Sequence, residues 1–318
     1  MKKIGFLKVL LFSFIFLLAF NVNFASAEKE SDASTSSVKE SDNYTFGEVE
    51  AVIVDYLKSE GKEFEVGSNE YTDFIIDQYM NDTDQELVNR VDYKAINAYM
   101  SEYVYQFSLY ETKNQSNINS FSADVTFDLN NIKDLTIGEV KEQIANEEAV
   151  ANVLKNNLPS TLAASAASYS VSNAKGYADK WYNGRNPVYP VFKLDCTNFV
   201  SQILFAGGMQ MNFNVSSGWY ANTSDNSVSW SAVPEFFTYW SQRKSTSTST
   251  SKSTIISDAK AGDIIQLKKD GATRWSHSMF VYEKSNSTLY LSAHTSDYLK
   301  KDFKTISTDW VNFRVIKM

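Results

Sequence analysis

One thiol and two imidazoles are the only side chains of their kind in this 318-residue chain: Cys196, His277 and His294. A lone cysteine cannot close an internal disulfide, so it is either a buried apolar passenger or a reactive group. A thiolate nucleophile needs a base to take its proton, and the base needs a third polar group to hold it. Two histidines are the minimum set for those two roles. A metal centre is the competing use of the same residue types, but Cys, His, His and one Asp are thin for structural zinc, which takes four ligands. The chain is therefore read with no metal and no cofactor.

The cysteine lies in "LDCTNFVSQILFAGG", residues 194–208. Cys196, Phe199, Val200, Ile203 and Leu204 recur at helical spacing and form one apolar stripe, which must face a core. Asp195 precedes the helix as a candidate N-cap, and Gly207 and Gly208 follow as a stop. Cys196 then occupies the first turn, where unpaired N–H groups and the helix dipole favour an anion; the spacing predicts a thiol pKa below the ordinary value. The same stripe also supports simple burial of the sulfur.

The histidines lie in "HSMFVYEKSNSTLYLSAH", which reads as a β-hairpin. A loop over 284–287 pairs Glu283 with Thr288 and sets His277 directly opposite His294 on one sheet face. The expected assignment is Cys196 as nucleophile, His277 as base and His294 as orienting residue. Further strands are expected at "DIIQL" and "FRVIKM", so a helix is followed by an antiparallel sheet. The run "STSTSTSKST" reads as a low-complexity surface loop.

Residues 1–27 carry Lys2 and Lys3, the apolar run "VLLFSFIFLLAF" and the small-residue end "ASA". This is the pattern of a secretory signal peptide cut after Ala27. Residues 28–43 are charged and Ser-rich and read as a disordered linker. Residues 44–160 show helical periodicity, with one strand candidate at "SFSADVTFDLNNI", and read as a smaller, mostly helical α+β domain. Residues 161–318 read as the catalytic domain, expected to carry the thiol chemistry by itself. Residues 28–160 hold 27 acidic and 10 basic side chains, a net −17, and residues 161–318 hold 11 and 17, a net +6. The basic half suits an anionic partner or complements the acidic half. No cluster of Lys and Arg with interleaved aromatics marks a nucleic-acid face. No stable membrane anchor is expected once the signal is cut.

The segments "LDCTNFVSQILFAGG", "WYNGRNPVYPVF", "GDIIQL", "WSHSMFVYE" and "LSAHTSD" occur in the order found in one family. Residues 170–318 resemble the "putative amidase domain" of secreted Gram-positive bacterial proteins, within the wider papain-like group of cysteine amidases and peptidases. The resemblance implies an α+β fold with the nucleophile helix packed on an antiparallel sheet. It also implies a cysteine amidohydrolase that uses Cys196, His277 and His294. Asp297 is a rival for the third role, and Asn198, Gln202 and Asp195 match the motif and are candidates to line the site. The substrate class so implied is a peptide or amide, with exported wall peptides the leading candidate. The alternative is a non-catalytic wall-binding or surface interaction module on the same fold.

Overall fold

The computed structural model describes residues 39–114, 127–156, 169–214 and 217–318. The expected signal sequence, most of the expected linker, the strand expected near 120 up to Thr126 and the boundary expected near 160 lie outside the described residues.

The acidic half forms helices where the periodicity places them. Helix α1 (Phe46–Ser59) starts with a capping box in which Thr45 accepts from the Glu48 N–H and Glu48 accepts from the Thr45 N–H. Then come α2 (Asn69–Asn81), the single turn α3 (Gln85–Val88), α4 (Tyr93–Lys113) and α5 (Ile137–Asn156). The basic half adds α6 (Val171–Trp181), α7 (Cys196–Ala206), the turn α8 (Val228–Ser231), α9 (Val233–Ser241) and α10 (Lys252–Asp258).

One sheet of six antiparallel strands carries the basic half. Its strands are β1 (Thr246–Ser249), β2 (Ile264–Lys269), β3 (His277–Lys284), β4 (Leu289–Ala293), β5 (Tyr298–Asp302) and β6 (Trp310–Ile316). Their order across the sheet is β1-β6-β2-β3-β4-β5. The fold is thus α+β, a helical N-terminal part joined to an antiparallel sheet. The Ser/Thr run expected as a loop is instead the edge strand β1, paired with β6 from Thr246↔Ile316 to Ser249↔Phe313. Threonine is β-branched and favours that pleat once a partner edge is offered.

The two sheet faces bury different partners. Phe280, Tyr282, Ile264 and Ile316 pack with Phe199, Val200, Ile203 and Leu204, the predicted stripe of α7. Met279, Val281, Leu267, Leu291 and Val315 belong to one continuous core with Phe46, Ile53, Tyr99 and Tyr103 of the acidic half. The described residues accordingly fall within a single compact unit. The seam between the halves is also polar: Arg274 pairs with Glu102 at 3.0 Å, and Ser101 meets Thr273 at 2.8 Å. Gly271, at φ +78, lies so close to Lys94 that an added Cβ would meet its carbonyl oxygen at 2.4 Å. The acidic helices therefore supply the cover that one face of the sheet needs.

Candidate active site

Cys196 opens α7 as expected, and the helix sets it against the start of β3. Thr197 donates to Ser278 Oγ at 3.0 Å, and the Cys196 sulfur lies 3.7 Å from Thr197 Oγ1. The thiol is 3% exposed. Burial raises its pKa, the Asp195 charge adds to the rise, and hydrogen bonds from the Ser278 backbone and from Thr197 work against it. The expected lowering is thus corrected, because desolvation of a thiolate here outweighs the helix start. A small cavity beside the sulfur is walled by Val104, Tyr105 and Ser108 of α4 and by Trp275 and Ser276. The acidic half therefore covers the thiol directly.

The two histidines do not share a face. The loop sits one residue further along the chain than expected, with the Ser285 N–H donating to Thr288 O at 2.9 Å. Lys284 consequently pairs with Leu289, and Glu283 with Tyr290. That moves the register by two residues and would keep the faces. A bulge between Val281 and Glu283 then takes one residue back, so that Phe280 faces Ser292. A one-residue slip turns every later side chain to the other face. His277 stands opposite Leu267, on the face covered by the acidic half. His294 stacks on Phe199 of α7 with ring centroids 3.7 Å apart. The expected cross-strand pair is corrected accordingly.

His277 lines a cavity of about 230 Å³ with Trp310, Tyr298, Lys301 and Asp82. Its Nδ1 is buried with no hydrogen-bond partner among the described residues. Burial and the Lys301 charge push its pKa down to about 3, so the ring is neutral. The next peptide N–H, that of Ser278, is the one that meets the Cys196 sulfur.

His294 has both ring nitrogens taken. Nδ1 lies 2.5 Å from Asp195 Oδ2 and Nε2 lies 2.8 Å from the Trp181 carbonyl oxygen. Asp195 is fully buried and also receives Arg185 Nε at 3.0 Å and Asn198 Nδ2 at 2.7 Å. Arg185 reaches on to Asp297 with both terminal nitrogens, at 3.1 and 3.0 Å. Asp297 therefore pairs with an arginine and not with a histidine. Asp195 precedes α7, but its carboxylate makes no cap bond, because this network consumes it.

Asn198 and Gln202 are both hydrogen-bonded within the protein. Asn198 donates to Pro190 O at 2.9 Å and accepts from Trp230 Nε1 at 2.8 Å. Gln202 accepts from Tyr177 OH at 2.6 Å, which accepts from Asn186 at 2.8 Å. These bonds explain why "WYNGRNPVYPVF" and "LDCTNF" go together: the first segment wraps the polar side of the cysteine helix.

Sequence reasoning missed Arg185, Thr295 and Glu111. Thr295 holds a φ of 76°, uncommon for a β-branched residue, and its Oγ1 accepts from the Asp195 N–H at 3.1 Å. Glu111 of α4 accepts from the Lys193 N–H at 2.8 Å, and burial pushes its carboxyl up to about 7. Arg185 and Thr295 lie inside quoted motifs, and Glu111 lies in none. Among the described residues no group of His, Cys, Asp and Glu is arranged to hold a metal ion, and no helix is long and apolar enough to cross a membrane.

Comparison with known proteins finds similarity along the segment that contains these residues. The chain is 34% identical over 135 residues to the "Uncharacterized protein YhbB" of Bacillus subtilis (strain 168), covering 42% of this chain and 43% of that one. It is 28% identical over 202 residues to the "Uncharacterized protein YjcM" of the same organism, covering 59% and 47%. The chain thus spans about half the length of the curated relatives it matches. No solved structure matches at a significant level. Residues 168–316, which contain Cys196, both histidines and the Asp195 network, match the family described as "Putative amidase domain", a match that points to hydrolysis of amides.

Proposed function

We propose that the protein is an exported cysteine amidohydrolase that cleaves amide or peptide bonds, with bacterial wall peptides as its substrate. The observation that carries the reading is the pairing of an amidase-family segment with its one thiol at a helix start and one neutral imidazole whose Nδ1 is unengaged. In the proposed reaction the sulfur attacks the amide carbon and its proton passes to His277, then to the departing amine. Water then attacks the acyl-thioester while His277 takes its proton, the C–S bond breaks to release a carboxylic acid, and His277 returns that proton to the sulfur. The resting ring lies on the strand face away from α7, and rotation about its Cα–Cβ bond leaves it there, so reaction requires the start of β3 at His277 to shift its backbone toward the thiol. His294 serves as a positioning residue through Asp195, which directly precedes the nucleophile.

The charged and apolar start of the chain supports export, and the net +6 of residues 161–318 supports an anionic wall partner. The raised thiol pKa and the 3% exposure of Cys196 favour the second reading, a non-catalytic surface module. Incubation of the protein with purified wall peptides, followed by mass analysis, separates the two. The expected result is a product pair differing from substrate by one water, absent with Cys196→Ala. Intact peptides with retained wall binding would establish the module.

A further inference from the structure

A cavity of about 450 Å³ lies next to the thiol pocket and shares Tyr105, Pro234 and Trp275 with it. Its wall includes Arg314 of β6, a side chain 3% exposed. The guanidinium is held in one plane: its carbon lies 3.6 Å from the Phe237 ring centroid and 4.4 Å from that of Trp275. Its Nε donates to Gln266 Oε1 at 2.7 Å. Its Nη2 is buried without an acceptor among the described residues. No salt bridge among the described residues neutralises Arg314, and Lys268 on the same wall has none either.

A buried arginine with an idle edge is costly for folding alone, since a desolvated charge needs a partner. Its planar fork matches a carboxylate, which it can bind through two parallel N–H bonds. The aromatic walls restrict the fork to one orientation before any ligand arrives. Glu147, Glu148 and Glu235 stand on the same wall. They would repel a dianionic phosphate more than a monoanionic carboxylate, and they would attract the ammonium that an amino acid carries beside its carboxylate. The size is that of a small-molecule site.

We propose that this cavity is a receptor for the carboxylate end of an amino acid or short peptide, with Arg314 as the anchoring residue and Lys268 as its second cation. Together with the proposed amidase chemistry, on which this link rests, the cavity selects substrates whose free carboxylate lies close to the bond cleaved.

Binding is read by calorimetry on the full chain carrying Cys196→Ala, so the outcome is independent of turnover and of the wall-peptide assay. The probes are N-acetylalanine, its uncharged amide and inorganic phosphate. N-acetylalanine is expected to bind saturably; its amide should bind at least about ten-fold more weakly through loss of a charge-assisted bidentate contact, and phosphate at least about ten-fold more weakly through repulsion by the three glutamates. Arg314→Gln is expected to abolish the binding while raising the midpoint of thermal unfolding without ligand, because it removes the unpaired cation. Lys268→Gln, at a half-buried side chain, keeps the test open should Arg314→Gln not fold, and is expected to weaken binding several-fold. No saturable binding of N-acetylalanine, equal binding of the amide or of phosphate, or unchanged affinity in either variant overturns the proposal.

Discussion

His277 makes stability depend on pH in a direction and window that the structure sets. Its pKa in the fold is about 3, against an ordinary 6.5. The folded chain therefore keeps the ring neutral while the unfolded chain takes up a proton as pH falls below 6.5. Between the two values the unfolded state binds more protons, so stability falls as pH falls. The contribution is fully present above pH 6.5 and is lost progressively down to about pH 3. At pH 5 the unfolded ring is almost wholly protonated and the folded ring is not, a differential of roughly 2 kcal/mol relative to pH 8. Burial makes the full figure applicable, since the side chain is 3% exposed. Other groups titrate over the same range, Glu111 among them, so the parent slope alone decides nothing. The comparison is between the parent and His277→Gln, each unfolded by urea at pH 8 and pH 5. The variant should lose about 2 kcal/mol less than the parent on acidification, whatever its stability at pH 8. Equal losses in both proteins would refute the neutral, desolvated imidazole, and with it the claim that an unprotonated base is ready across the physiological range.

Two further outcomes follow from the site. Cys196 should alkylate with iodoacetamide along a pH profile whose inflection lies above that of an ordinary thiol, because burial opposes the thiolate; an inflection below pH 7, the mark of a thiolate–imidazolium pair, would show that the resting site already holds the two groups together. Asp195→Asn should cost roughly 3–5 kcal/mol in urea unfolding at pH 7, because Arg185 and His294 lose their shared buried carboxylate, and a cost below about 1 kcal/mol would show that Asp297 suffices for Arg185.

Much of this arrangement is legible in residue order. The stripe from Cys196 to Leu204 identifies the helix that meets the sheet, since burial and the 3.6-residue period are local properties. The strands at "DIIQL", "HSMFVYE" and "TLYLSAH" show themselves in the same way. The relation between the two histidines does not, because one bulged residue next to Val281 decides it and a bulge leaves no mark on the alternation of apolar and polar side chains. Edge strand β1 is hidden for a different reason: a Ser/Thr run pairs only where another strand presents its edge. The pairing of Arg185 and Thr295 with Asp195 is hidden as well, since they are brought to it from positions 10 and 100 residues away. Site residues were thus recognisable by type, and their partners only by the fold.

The face of the sheet that carries Met279, Val281 and Leu267 has a wider consequence. The segment that matches the family model begins at 168, whereas the helices that keep this face from water begin at Phe46. The unit of kinship and the unit of folding therefore have different borders. A piece cut at the border of kinship would present a broad apolar surface, and such surfaces pair with other chains. In this chain the cover lies outside the matched segment, in the acidic helices. One of these helices, α4, also walls the thiol, so replacing the cover would change what reaches the sulfur while leaving the matched segment untouched.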